Sequence, residues 1–454
     1  MEALVSLDRS RPGLGEQLTA ALRAAIAEGR LAPGSRLPSS RELAADLRVS
    51  RGVVVAAYEQ LAAEGRLLTR RGSGTTVAAA PPPRTRTRTT TPPPSGSGER
   101  GELRPGVPDL AAFPRAAWRR AYERALDAAV PADFGYGDPA GAPRLRHVLA
   151  DYLGRVRAAR LTADDLVVTT GAAQAFALVA RHLRDTGADR IGVEEPGSPG
   201  IRAHLESQGL RLVPVPVDAD GLDTGTLGDL PAVLVTPAHQ YPTGVVLAPH
   251  RRAALIAWAR ATGALIVEDD YDAEFRYDRD PVGCLQGLAP DAVAHLGSAS
   301  KALAPALRLG WLAVPPERRG SVRAAKAAAD HSGPTLEQLA FADLLATGGY
   351  DRHLRQARRA YRRRRDALVE ALRRHVPRAR VHGVAAGLHL VVELPPGTDD
   401  AEVAARARAA GLDPMPLSAT RLRPGGGPPG LVLGYAGQTP DRIAEGVRLL
   451  GTIV

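Results

Sequence analysis

Two lysines, Lys301 and Lys326, stand among 59 basic residues in this chain of 454. A sequence that uses arginine almost everywhere keeps a lysine only where the exchange is neutral or impossible. Arginine stays protonated at any working pH, whereas a lysine amine loses its proton when desolvated or set beside another cation. The free amine condenses with an aldehyde, and a guanidinium does not. Lys301 lies in Gly297-Ser-Ala-Ser-Lys-Ala-Leu-Ala-Pro-Ala-Leu-Arg-Leu-Gly310, small residues interspersed with Ser298, Ser300 and Arg308. Those three polar groups could hold a phosphate. The chemistry on offer is amine–carbonyl condensation beside an anion anchor; the plain alternative is a chance surface lysine.

Such a group needs a rigid frame. From about residue 102 onward, short apolar runs alternate with helical stretches. The candidate buried strands are 166–169, 190–193, 232–236, 264–268, 292–297 and 310–314, with helices over 172–184 and 249–261. That alternation predicts an α/β sheet covered on both faces, with ligands at the carboxyl ends of the strands. Gly171-Ala172-Ala173 follows a strand and opens a helix, so its free N–H groups can cradle phosphate. Asp269 and Tyr271 follow Ala-Leu-Ile-Val-Glu, and Lys301 follows the 292–297 strand.

With 44% hydrophobic and 24% charged residues, the composition is that of a globular protein long enough for two or three domains. The net charge of +10 fits a polyanionic partner, although heavy arginine use could alone produce it. The single cysteine, Cys284, excludes an internal disulfide and a cysteine zinc cluster, so no metal site is expected. No apolar run reaches membrane-spanning length and no signal-peptide core is visible, so the expected location is cytoplasmic.

The first 78 residues read as a separate domain. Leu14, Leu18, Leu22 and Ile26 give one helix; Ser39 or Ser40 caps a second over 41–46; Ser50 caps a third running through Val54, Tyr58 and Leu61. The tight Leu47-Arg48-Val49 connection makes the latter pair a helix-turn-helix. Residues 66–77 alternate β-formers about a glycine turn, as a basic wing would. Residues 79–101, rich in proline, arginine, threonine, serine and glycine, read as a flexible linker, and 102–454 as one large unit.

The run Gly34-Ser-Arg-Leu-Pro-Ser-Ser-Arg-Glu-Leu-Ala, with Val49-Ser-Arg, Tyr58-Glu-Gln-Leu and Gly65-Arg-Leu, resembles the winged helix-turn-helix of GntR-type regulators. The resemblance implies a double-stranded DNA operator as partner, contacted by Arg41, Ser50 and Arg51, and by Arg71 and Gly72 on the wing. The motifs Tyr136-Gly-Asp-Pro-Ala-Gly, Thr169-Thr-Gly-Ala-Ala-Gln174, Glu195-Pro-Gly-Ser-Pro-Gly200, Thr236-Pro-Ala-His-Gln-Tyr-Pro-Thr-Gly244, Glu268-Asp-Asp-Tyr-Asp-Ala-Glu-Phe275 and Ser298-Ala-Ser-Lys301 look like a fold-type-I aminotransferase. Together with the head they resemble the MocR family of pyridoxal-phosphate-dependent regulators. The implied architecture is α/β: the winged head, then a pyridoxal-phosphate transferase fold with a large α/β and a small α+β domain. Implied roles follow residue by residue. Lys301 forms the Schiff base to pyridoxal phosphate. Asp269 pairs with the ring nitrogen, and Tyr271 donates to the ring oxygen. Ser298, Ser300, Arg308, Ala172 and Ala173 bind the phosphate. Tyr136 reaches the partner subunit of a homodimer.

Three departures from that family pattern stand out. Ser198 occupies the place of the ring that stacks on the cofactor. Tyr241, with His239 and Gln240 beside it, replaces an asparagine; His239 reads equally as a cofactor contact or as a structural hydrogen-bonder. Val432 occupies the place of the arginine that anchors a substrate carboxylate, with Arg421 or Arg423 as substitutes. The helix 350–375 is rich in arginine and could be a second DNA-facing surface, but its normal apolar stripe makes it read as a solvated face with modest attraction for DNA. The expected function is a transcription regulator whose aminotransferase-like domain senses pyridoxal phosphate or an amino compound; the alternative is an active aminotransferase with a DNA-binding head.

Overall fold

The computed structural model describes residues 7–70, 74–78, 102–278, 282–423 and 425–454. The expected linker, and the wing residues Arg71 and Gly72, lie outside the described residues. The chain divides into two compact units, Met1–Gly96 and Ser97–Val454.

In the first unit, α1 (Leu14–Ala27), β1 (Arg36–Leu37), α2 (Ser40–Asp46), α3 (Arg51–Ala63), β2 (Leu67–Arg70) and β3 (Gly74–Val77) follow in order. Ser39 caps α2 in a capping box: its hydroxyl accepts from the Glu42 N–H while the Glu42 carboxylate accepts from the Ser39 N–H at 2.8 Å. Leu18, Leu22, Leu43, Val54, Tyr58, Leu61, Leu67 and Val77 form one core, so both turn helices and the β2–β3 hairpin are held to α1. Ser50 occupies the N-cap position of α3 but makes no cap hydrogen bond, contrary to the expectation for it. The start of α3 thus has no side-chain cap, although the Val53 N–H bonds to the Ser50 carbonyl at 3.1 Å.

The second unit begins with α4 (Arg115–Asp127) and α5 (Pro143–Arg157). Then come β4 (Leu166–Thr169), α6 (Ala172–Asp185), β5 (Arg190–Glu195), α7 (Pro199–Ser207), β6 (Arg211–Asp218), β7 (Gly221–Leu222), β8 (Ala232–Val235), α8 (Pro249–Thr262), β9 (Leu265–Asp269), β10 (Val293–Ser298) and β11 (Gly310–Ala313). These strands form an eight-stranded sheet in the order β4-β11-β10-β9-β8-β5-β6-β7. The neighbours from β10 to β6 pair in parallel, and β11 runs antiparallel between β4 and β10. The carboxyl ends of β4, β5, β8, β9 and β10 consequently open on one edge.

Side-chain alternation sorts the sheet into two faces. Leu234, Leu265, Val267, Ala294 and Leu296 pack with residues of α6 and α7, whereas Val233, Val235, Ile266 and Val293 pack with Leu255 and Ile256 of α8. The third part of the unit comprises α9 (Arg319–Asp330), α10 (Thr335–Ala346), α11 (Gly349–His375), β12 (Arg380–His382), β13 (His389–Glu393), α12 (Asp400–Ala409), β14 (Met415–Pro416), β15 (Gly430–Gly434) and α13 (Pro440–Gly451). Its four strands form a smaller antiparallel sheet, β12-β13-β15-β14. The large α/β sheet and the smaller antiparallel one match the expected fold class.

Candidate functional site

A cavity of about 450 Å³ sits at the shared carboxyl edge of the large sheet. Asp269 closes β9, and the alternation that sends Val267 toward α6 sends the Asp269 side chain into this cavity. Its neighbours Glu268 and Asp270 go to the opposite face. There Arg157 holds Asp270 at 2.7 Å, and His295 lies 3.2 Å from Glu268. Asp269 is 6% exposed, and its side chain has no hydrogen bond or ion pair among the described residues. Burial, then the charges of Asp270 and Asp272, push its carboxyl up to about 7. A buried acid of this kind is uncompensated until a cation meets it.

Lys301 leaves the end of β10 and lines the same cavity, its Nζ donating to the Gly106 carbonyl at 2.6 Å. Burial lowers its pKa against the opposing pull of Asp272 and Asp269. That shift favours the neutral, nucleophilic amine.

Anion-binding groups gather at the other end of the cavity. Ser298 and Ser300 share a 2.8 Å hydroxyl–hydroxyl hydrogen bond. Ala172 and Ala173 open the fourteen-residue α6, whose N-terminus lines the cavity with them. Arg308 lines it too, without an acidic partner among the described residues. Gly171 (φ 99°) and Gly310 make this convergence possible: a Cβ on Gly310 would come within 2.9 Å of the Gly171 Cα.

Tyr241 also lines the cavity, as does Tyr271, whose hydroxyl donates to the His239 carbonyl at 3.0 Å. His239 is 3% exposed, stands 2.9 Å from Asp272 and is not among the lining residues. The geometry thus favours hydrogen-bonding support over direct contact for His239. Gly387 allows β13 to reach this pair, since a Cβ there would stand 2.3 Å from the His239 ring. Tyr136 is 96% exposed and lies outside the cavity of its own chain.

Ser198 lines the cavity but spends its hydroxyl as the cap of α7, accepting from the Ile201 N–H at 3.4 Å. Val432 is fully buried against Val391, Leu417 and Met415. Arg421 and Arg423 do not replace the missing anchor here. They line a different cavity, of about 550 Å³, where Arg421 donates to the Pro428 carbonyl at 2.8 Å.

Three buried, titratable lining residues escaped the sequence reading. Glu194, pushed up to about 7 by burial, accepts from Thr236 and Gln240. His389 is driven down to about 4 by burial and by His239, and its Nε2 faces the Pro242 carbonyl at 3.2 Å. Arg202 donates to the Gly197 and Thr420 carbonyls and to Glu195, tying the loop after β5 to the segment after β14. An arginine at the first turn of α7 and a histidine in an apolar strand give no local signal of this placement.

In the head, Arg41 on α2 and Ser50 and Arg51 at the start of α3 are exposed. Arg51 Nε reaches the Ser40 hydroxyl at 3.4 Å, and Arg41 has no acidic partner among the described residues.

An amine, an unpartnered buried carboxylate and a phosphate cradle on one sheet edge define the class: a pyridoxal-phosphate-binding aminotransferase fold, carried behind a helix-turn-helix. Comparison with known proteins agrees for both parts. Residues 14–77 match the bacterial regulatory proteins of the gntR family, and residues 107–411 match aminotransferase class I and II. The HTH-type pyridoxine biosynthesis transcriptional regulator of Corynebacterium glutamicum is 39% identical over 379 residues, 83% of this chain and 82% of its own. The probable rhizopine catabolism regulatory protein MocR of Rhizobium meliloti is 34% identical over 458 residues, 96% and 92% of the two chains. Among solved structures, α-aminoadipate aminotransferase from Thermus thermophilus, complexed with a phosphopyridoxyl-leucine, is 28% identical with a TM-score of 0.69, covering 78% of this chain and 91% of its own. Kynurenine aminotransferase of Pyrococcus horikoshii gives 25%, 0.71, 78% and 91%. The chain belongs to the MocR-type regulators, a GntR helix-turn-helix joined to an aminotransferase class I and II domain. It is a DNA-binding transcription regulator whose cofactor is pyridoxal phosphate. No helix among the described residues is long and apolar enough to cross a membrane.

Proposed function

We propose that occupancy of the Lys301 cavity governs how a homodimer of this chain grips its operator, and that the ligand sensed is pyridoxal phosphate itself. The observation that carries this reading is that Lys301 and the unpartnered, buried Asp269 line one cavity, in a chain that also bears a DNA-reading head. When bound, the cofactor supplies an aldehyde carbon and an electron-withdrawing ring. The chain's own residues do the rest. Lys301 offers a desolvated amine for covalent attachment. Asp269 holds the proton of the ring nitrogen, and Tyr271 and Tyr241 orient the ring edge. Ser298, Ser300, Arg308 and the N–H groups of Ala172 and Ala173 fix the phosphate. The exposed Tyr136 reaches into the site of a second copy.

The departures point away from rapid turnover. A transaminase must hold its substrate so that the bond to be broken stands perpendicular to the ring, and that positioning supplies much of the rate. Val432, packed among apolar side chains, cannot form a bidentate pair with a carboxylate, and Ser198 presents no ring. An effector needs only different affinities for two conformations. The C. glutamicum relative is named for regulating pyridoxine biosynthesis, which favours pyridoxal phosphate over an amino compound as the ligand. The domains would be residues 1–78, a tether over 79–101, and 102–454, working in the reducing cytoplasm that a lone buried cysteine suits. Single-turnover transamination across the common amino acids tests the reading: slow or absent conversion is expected, and rapid conversion of one amino acid would favour an enzyme.

A further inference from the structure

The long helix α11 carries more cation than its surroundings explain. Leu354, Ala357, Tyr361, Leu368 and Leu372 bury one face of it. Arg352, Arg355, Arg359, Arg362 and Arg363 are exposed. At about 100° per residue they fall in an arc of about 100° opposite the buried face, along about 16 Å of helix. None of the five has an acidic partner among the described residues; Arg352 donates only to the Thr347 carbonyl, at 3.2 Å. Neighbouring arginines whose charges point elsewhere are accounted for: Arg358 donates to the Glu274 carbonyl and Arg364 pairs with Asp109 at 2.6 Å. Asp351, the acid nearest in sequence, is taken by Arg155 at 2.9 Å.

A solvated charged face normally interleaves signs, because opposite charges at i,i+4 support a helix and like charges oppose it by a few tenths of a kcal/mol each. The second half of α11 follows that rule: Asp366 and Glu370 share the arc with Arg373, and Arg374, just beyond it, lies 3.6 Å from Glu370. Asp366, four residues from Arg362 and three from Arg363, lies against Arg365 at 3.7 Å and pairs with neither. The first half breaks it. Arg352 and Arg355, Arg355 and Arg359, and Arg359 with both Arg362 and Arg363 stand at the repelling spacings. A straight row of guanidinium groups without ion pairs among the described residues is matched by a regular row of phosphates.

We propose that this arc of α11 is a second DNA-binding surface, one that grips the phosphate backbone without reading bases. The inference rests on the DNA-binding reading of the head and adds to it a grip from the larger unit. Its consequence is affinity without specificity: the head chooses the sequence, and α11 raises the strength and salt dependence of the complex.

The test uses the full-length protein with cofactor and a duplex holding the operator with long flanks, titrated across a range of salt. In the variant with Arg355, Arg359, Arg362 and Arg363 all changed to Gln, the slope of log K against log salt should shrink by about 0.9 for each phosphate no longer neutralised. Discrimination between operator and scrambled duplex should stay as it was. A charge-matched control changes the exposed Arg373, Arg374, Arg378 and Arg380 to Gln and should keep the wild-type slope. The single variants R359Q and R362Q, mild enough to keep the fold, should each give a fraction of the effect. An unchanged slope in the α11 variant, or an equal reduction in the control, would overturn the proposal while leaving the head's role intact. Absence of operator binding by the wild-type protein would instead overturn the reading on which it rests.

Discussion

The Nζ of Lys301 donates a 2.6 Å hydrogen bond to the carbonyl oxygen of Gly106. Its direct partner is thus a neutral backbone group, and no carboxylate forms an ion pair with it among the described residues. The other lysine, Lys326, shows the contrast: it is fully buried but bonded to Asp330 at 2.6 Å. An ion-paired ammonium is a poor nucleophile, whereas a desolvated one without a counter-ion sheds its proton readily.

Exchange of Lys301 for Arg keeps a long basic side chain and removes the primary amine. The purified K301R protein should fold, shown by an unchanged circular dichroism spectrum, yet lose the visible absorbance of covalently held cofactor near roughly 420 nm. Retention of that band after dialysis would assign the attachment to another group.

Asp269 links cofactor affinity to stability. Its folded pKa of about 7 lies above the ordinary 3.8, so without cofactor the native state holds a proton that the unfolded chain releases. The stability this gives is present at low pH and is lost as pH rises through that window, by about 4 kcal/mol in all. His389, driven down to about 4, acts with the opposite sign: it stays neutral in the fold while the unfolded chain takes up a proton below the ordinary 6.5, so its contribution is lost as pH falls from there toward 4. The informative comparison is therefore variant against wild type at fixed pH. Cofactor-free D269N should melt above wild type at pH 8 and lose that advantage at pH 4, while binding pyridoxal phosphate more weakly. A lower melting temperature at pH 8 would show that Asp269 has a stabilising partner.

Much of this site is legible in the residues alone. Lys301 announces itself by rarity, and Asp269 by ending an apolar run that reads as a buried strand. The parallel strands are visible because each is a short, unbroken apolar segment. β6 is not, because Pro214 and Pro216 interrupt Arg211–Asp218 and argue against a ladder. Arg202, His389 and Glu194 are illegible for another reason. Their own residue types, in an ordinary helix or strand, give no sign of the cavity, and only the crossing of distant elements brings them to it. The same holds for Arg421 and Arg423, whose exclusion from that cavity is a matter of tertiary placement.

The head makes a separable prediction. Arg51 opens α3 at the exposed face of the turn, beside Arg41 and Ser50. Replacing Arg51 with Ala should cost about 1–3 kcal/mol of operator affinity and narrow the gap between operator and random duplex. Equal weakening on both duplexes would make Arg51 a phosphate-binding residue instead.

The most direct measurement compares operator binding by the cofactor-free protein with and without added pyridoxal phosphate, in wild type and in Lys301→Ala. The account predicts that the cofactor changes the dissociation constant of the wild-type complex severalfold and that the variant responds weakly or not at all. A wild-type dissociation constant that stays the same on saturation with pyridoxal phosphate would contradict it.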